Sequence, residues 1–287
     1  MKKDTPRVRI GEVRTRFGQL DGPTLQTRER FTEVITRFES FVSKAYGVDC
    51  IADVTPTIVE AFVRAKGSTG NPATATMHVR RCNLRTLFRI ARREFGFEGD
   101  PTLDVMLPPR SMLTTRPLTN DEIVLGRSFS HHTFNATRQP VAWALGEATA
   151  ITAELPYITT DDLDLDCTDG PRVWLHGSRK RNERWGFLDD WGALQLERRA
   201  AALEGTTCLL YKGTGSEFSR QASCCNVLRE TFIRAGLDSE PDIRPNSLAA
   251  WAGVMALEEM GSIEGVARRL GMSSLDAAAA FINHDWR

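Results

Sequence analysis

Residues 270–281 read LGMSSLDAAAAF. Leu270-Gly271 followed by Ser273-Ser274 is the pattern of a helix end, a tight turn and a new helix start, with a serine hydroxyl available to cap the second helix. That helix runs through Ala277–Ala280 to Phe281, a ring without the hydroxyl that nucleophilic chemistry needs. Outward from it the chain reads as helical in WGALQLERRAAAL (191–203), RQASCCNVLRETFIRAG (220–236), NSLAAWAGVMALEEMG (246–261) and SIEGVARRLG (262–271). Before these, RVWLHGSRKRNERWGFL (172–188) predicts a β-hairpin with a basic turn, next to an alternating DLDLD stretch. Thr119, with Glu122 three residues on, forms a capping box that opens helices reaching about Leu155.

Composition bounds the possibilities. The 287 residues are 41% hydrophobic and 26% charged, as in an ordinary globular protein able to bury a real core. No apolar run approaches the roughly 18 residues of a membrane span, and none follows Met1-Lys2-Lys3-Asp4 as a secretory signal would. The six cysteines (50, 82, 167, 208, 224 and 225) form no CxxC pair. They predict reduced, mostly buried thiols in a cytoplasmic protein, with neither a disulfide framework nor a zinc site.

Net charge is zero but unevenly spread. Residues 1–115 hold 19 Lys/Arg against 13 Asp/Glu, and the remainder 18 against 24. Residues 1–23 read as a loosely attached basic arm. Helices follow from Thr24 to Tyr46-Gly47, from Thr55-Pro56, and from Pro72 to Phe95. In the last of these Met77, Leu84, Leu87, Phe88, Ala91 and Phe95 form an apolar stripe. Arg81, Arg85, Arg89 and Arg92 form a second stripe, and residues 77–93 contain no acidic residue. A guanidinium ladder suits DNA phosphates, because arginine donates bidentately; the alternative is a solvated helix face. The proline-rich stretch 107–123 reads as an interdomain linker. The expected organisation is therefore a basic arm 1–23, a helical domain 24–107, a linker 108–116 and a mainly helical domain with a small β-sheet over 117–287.

This order of elements resembles the tyrosine recombinase (phage integrase) family, with a helical core-binding domain followed by a catalytic domain. Four segments carry the resemblance: ITAELPYITTDDLDL (151–165), GSRKRNERWGFL (177–188), RPNSLAAWAGVMALEEMG (244–261) and LGMSSLDAAAAF. In the family a tyrosine attacks a DNA phosphate, two arginines clamp it, and a lysine and histidines manage protons. Matched motif by motif, the first arginine falls on Ile151, the box histidine on Asn246 and the second arginine on Ala249. The histidine of the last box falls on Met272, and the nucleophile falls on Phe281. The hairpin lysine is Lys180, or is replaced by Arg179 or Ser178. The resemblance thus implies a recombinase fold without strand cleavage, because these groups act as a unit.

Other chemistry finds no support. His131-His132 and His284 have no spaced ligand partners, and the GTG at 213–215 lacks the strand–helix context and lysine of a phosphate loop. No cofactor and no metal are expected. The expected partner is double-stranded DNA, gripped by a family-type clamp. Its contacts would come from Arg81, Arg85, Arg89 and Arg92, from Arg179, Lys180, Arg181 and Arg184 of the hairpin, and from Arg220 and Gln221 at a helix start. The roles implied are a transcriptional regulator of a mobile element, an accessory subunit beside an active recombinase, or a protein-interaction scaffold that no longer binds DNA. Only six residues follow Phe281, so a monomer or weak dimer is expected, with Trp286 tucked against its own domain.

Overall fold

Ile10, Val13 and Phe17 stand at helical spacing in the basic N-terminal segment, and all three are buried on one face of helix α1 (Ile10–Gly18). This corrects the expectation of a loose arm. An apolar face at steps of three and four outweighs the surrounding charge once a neighbouring stripe covers it. The cover comes from α2 (Leu25–Tyr46), where Phe31, Ile35, Phe38 and Val42 are buried; the Phe17 and Phe31 ring centroids lie 4.0 Å apart. Arg14 and Arg16, read as free charge of an arm, pair with Glu39 and Glu94. The computed structural model describes residues 7–23, 25–67, 70–109, 115–132, 137–211 and 213–286, so Lys2, Lys3 and linker residues 110–114 lie outside the described residues.

The chain divides into two units, residues 1–112 and 113–287. In the first, Thr55 caps α3 (Pro56–Arg64) by accepting from the Ile58 amide, with Pro56 opening the helix. Helix α4 (Thr74–Phe95) starts two residues later than Pro72 and ends at Gly96, whose φ of 70° closes it in the left-handed region. Its apolar stripe joins α1, α2 and α3 in one core, with Phe95 on the edge.

The second unit is built around α6 (Arg138–Glu147), which is buried from Pro140 through Gly146 and is therefore apolar on every side. Ahead of it, α5 (Asn120–Ser130) has its capping box: Thr119 N donates to Glu122 at 2.8 Å, and Glu122 N donates to Thr119 Oγ1 at 3.2 Å. Strands β1 (Leu163–Asp164), β2 (Arg172–Leu175) and β3 (Arg184–Phe187) form one antiparallel sheet in that order. Helices α7 (Asp190–Ala201), α8 (Glu217–Arg234), α9 (Asn246–Met260), α10 (Ile263–Arg269) and α11 (Leu275–Phe281) follow. Ser274 caps α11 through the Ala277 amide. Helices α9, α10 and α11 enclose a small core of their own, with Met272 and Phe281 packed at its margin. The fold is mainly α with a small β-sheet, as the sequence implied.

The cysteines differ from expectation. Only Cys50 and Cys224 are buried, Cys82 is exposed, and Cys167, Cys208 and Cys225 are half-buried. Burial pushes the Cys224 thiol up to about 12. Among the described residues no helix is long and apolar enough to cross a membrane. Trp286 keeps 39% of its surface exposed.

If α1 is part of the core, Phe17→Ala should lower the stability of the first unit by about 3 kcal/mol in urea denaturation of the whole chain. An unchanged transition would return residues 7–18 to the status of an arm.

Candidate functional site

The loop after α6 turns sharply at Thr149, a β-branched residue at φ 76°, where non-glycine residues are rare. The turn is held from both sides. Thr149 Oγ1 donates to the Arg269 carbonyl at 3.2 Å, while its own carbonyl accepts from Arg184 Nη2 at 2.7 Å. The same guanidinium meets Glu154 with Nη1 at 2.7 Å from Oε1 and Nη2 at 3.0 Å from Oε2. Its Nε donates to Thr149 Oγ1 at 3.2 Å and its Nη1 also to the Asn182 carbonyl at 3.1 Å. Arg184 is 7% exposed and Glu154 1%. All five N–H groups of Arg184 are engaged inside the protein, and none is left for a ligand. Glu154 also accepts from the Ile151 amide at 2.9 Å, which ties the isoleucine to this cluster through its backbone.

Beyond β2 the chain reverses in a two-residue turn. Ser178 N donates to the Arg181 carbonyl at 2.8 Å and Arg181 N to the Ser178 carbonyl at 3.2 Å, leaving Arg179 and Lys180 exposed at the tip. Gly177 allows the reversal: it has φ 74°, and a Cβ there would lie 2.6 Å from the Arg181 carbonyl oxygen. The far side of the turn docks on the segment between α10 and α11. Asn182 N donates to the Gly271 carbonyl at 2.7 Å, and Arg181 Nη1 to the Leu270 carbonyl at 2.6 Å. The Arg181 guanidinium then lies 4.4 Å over the Phe281 ring centroid. Burial, reinforced by the nearby Arg184 charge, lowers the Arg181 guanidinium to about 10, so it remains charged at neutral pH.

The structure therefore sorts the residues read as DNA contacts. Arg184 is corrected outright: it is an internal strut. Arg181 is buried at 6% exposure and faces Leu270 and Phe281. In α4, Arg81 donates to the Thr102 and Leu103 carbonyls and Arg92 pairs with Asp100 at 2.7 Å, so two of the four ladder members hold the 99–103 turn. Arg85 and Arg89 are exposed, with no side-chain partner among the described residues. Arg220 is half-buried, donates to the Gly215 carbonyl and lies over the Tyr211 ring; Gln221 beside it is half-buried. Arg85, Arg89, Arg179 and Lys180 stand exposed to solvent.

Of the positions matched to catalytic groups, Asn246 is exposed and Ala249 fully buried in the first turn of α9. Ile151, Met272 and Phe281 are half-buried. Ile151, through Glu154, and Phe281, through Arg181, converge on the hairpin. Sequence reading missed the roles of Thr149, Arg181 and Arg184. The period-2 pattern contained one clue: Arg184 pairs with Leu175 and shares the buried face of β3 with Gly186. Among the described residues no group of His, Cys, Asp and Glu is placed to hold a metal.

Glu154→Gln should destabilise the second unit by about 3 kcal/mol, because it leaves Arg184 buried opposite a neutral amide. Chemical denaturation checks this, and a loss below about 1 kcal/mol would show that the pair is not needed.

No protein-family model and no curated protein matches the sequence. Solved structures do. A lambda integrase dimer bound to a COC' core site is similar with a TM-score of 0.72 at 15% identity, over 98% of this chain and 80% of that one. The Tn1549 transposon integrase in complex with transposon right end DNA has a TM-score of 0.66 at 12% identity, over 97% of this chain and 96% of that one. XerH site-specific recombinase bound to difH substrate has 0.65 at 15% identity, over 96% of this chain and 82% of that one. At these identities the likeness is one of architecture, and the architecture of this chain is the tyrosine recombinase fold.

Proposed function

We propose that this chain is a double-stranded-DNA-binding protein on a recombinase fold that has lost strand cleavage and acts as a sequence-specific regulator of a mobile element. The observation that carries the first part is the filling of the centre. Phosphoryl transfer needs a nucleophile in line with the leaving oxygen and cations on the non-bridging oxygens. Position 281 offers a phenyl ring lying under Arg181, position 249 a buried methyl group and position 151 an isoleucine. Of the two internal guanidiniums here, Arg184 has no donor left, and Arg181 lies over the Phe281 ring and donates to the Leu270 carbonyl. The two tyrosines of this unit have other partners: Tyr157 hydrogen-bonds with Glu217, and Tyr211 Oη accepts from the Gly215 amide.

DNA binding is supported by the cations left in solvent on both units, and by the DNA-bound state of the similar integrases. Arg85 and Arg89 on α4 and Arg179 and Lys180 at the hairpin tip are the contacts we assign. A DNA-binding protein without a blade has two uses, regulation or accessory service to an active recombinase. We take regulation as the first reading, and site mapping separates the two: promoter sites support it, and sites confined to an attachment core overturn it in favour of the accessory role.

Two outcomes are expected in vitro. Retention of duplex DNA in a gel shift falls steeply with salt, and replacing Arg179 and Lys180 together by alanine lowers the log–log salt slope by about 2. No retention at low salt removes the DNA-binding reading. On a nicked suicide duplex, neither the natural chain nor Phe281→Tyr forms a covalent protein–DNA adduct, whereas an adduct with the natural chain would make it an enzyme.

A further inference from the structure

Residue 281 is more than an empty nucleophile position. Arg181 has no carboxylate partner among the described residues; its charge meets the Leu270 carbonyl at the end of α10 and the face of the Phe281 ring. A cation held this way is attracted by the ring quadrupole, and the attraction grows as water is excluded. An aliphatic side chain at 281 would fill space without it. Arg181 is also one side of the two-residue turn that presents Arg179 and Lys180. Its neighbour Asn182 is fixed to Gly271, where φ is 66° and a Cβ would approach the Asn182 carbonyl oxygen to 2.6 Å. The tip thus has one backbone tie to the 270–271 segment, from Asn182 to Gly271, and two ties through the Arg181 side chain, to the Leu270 carbonyl and to the Phe281 ring of α11.

We propose that Phe281 is a positioning residue for the hairpin tip: its ring holds Arg181, and through Arg181 it fixes Arg179 and Lys180 where they meet DNA. The second half rests on the DNA-binding reading above; the first does not.

The test has two arms. Amide exchange reads the anchor directly, because the Ser178, Arg181 and Asn182 amides each donate a hydrogen bond in this turn. Phe281→Leu, which keeps the apolar volume and removes the ring, should speed their exchange about two- to thirtyfold while the α6 amides keep theirs. Phe281→Tyr, which keeps the ring, should leave all of them near the natural rates. Unchanged exchange in Phe281→Leu overturns the proposal. If that variant loosens α6 as well, Arg181→Gln, which removes the cation and leaves the ring in place, replaces it under the same criterion. The second arm is a gel shift on duplex DNA. Phe281→Leu should weaken binding and flatten the salt slope, yet add nothing when Arg179 and Lys180 are already alanine, the non-additivity expected of residues acting through one element. Additive losses overturn the positioning role. If the natural chain binds no duplex, the DNA-binding reading fails, and the exchange arm still decides whether Phe281 anchors the tip.

Discussion

The bidentate pair between Arg184 and Glu154 is the constraint on which the second unit depends. Both groups are buried, and removing two charges from water is repaid only when every remaining donor and acceptor is met. Here that condition dictates local structure. Arg184 needs the Thr149 carbonyl and hydroxyl, which requires the loop after α6 to turn with a positive φ. It needs the Asn182 carbonyl, which brings the hairpin turn inward. Gly271 must then be glycine, since a methyl group there would stand 3.0 Å from Arg184 Cδ and nearer still to Asn182. One ion pair therefore sets the α6 exit, the β3 start and the α10–α11 junction together.

What was legible in the sequence was local. The Thr119 and Ser274 caps, the Thr55-Pro56 helix start and the apolar stripe of α4 depend on neighbours within four residues, and a sequence displays those directly. The α1 helix was hidden because its apolar face has value only against Phe31 and its neighbours in α2, while its arginines advertised solvent. Charge misled in the same way at the hairpin. Four basic residues within six positions look like one patch, yet the turn and the strand divide them between solvent and interior. Arg179 and Lys180 fall on the tip, while Arg181 and Arg184 turn to partners 89 and 30 residues away in the chain. Nothing near Arg184 in sequence names Glu154 as its counter-ion. The α4 ladder divides for a related reason, since Arg81 and Arg92 reach a turn beyond the helix end whose carbonyls and Asp100 are better partners than water.

The cations of the second unit mark a difference between binding a charge and using one. A clamp for a reacting phosphate keeps donors unspent until the substrate arrives, at the cost of holding a positive charge poorly solvated. Arg184 spends all of its donors on the fold, and Arg181 spends its face on Phe281 and a donor on the end of α10. The buried Glu154 carboxylate requires a cation, and β3 supplies it in Arg184. An unpaired charge there would cost several kcal/mol. The arginine that completes this core is thereby unavailable to a phosphate, and a hydroxyl added to the ring at 281 would not release it. On the proposed reading, what remains for DNA lies outside this centre, on side chains whose charge the fold does not need: Arg85, Arg89, Arg179 and Lys180.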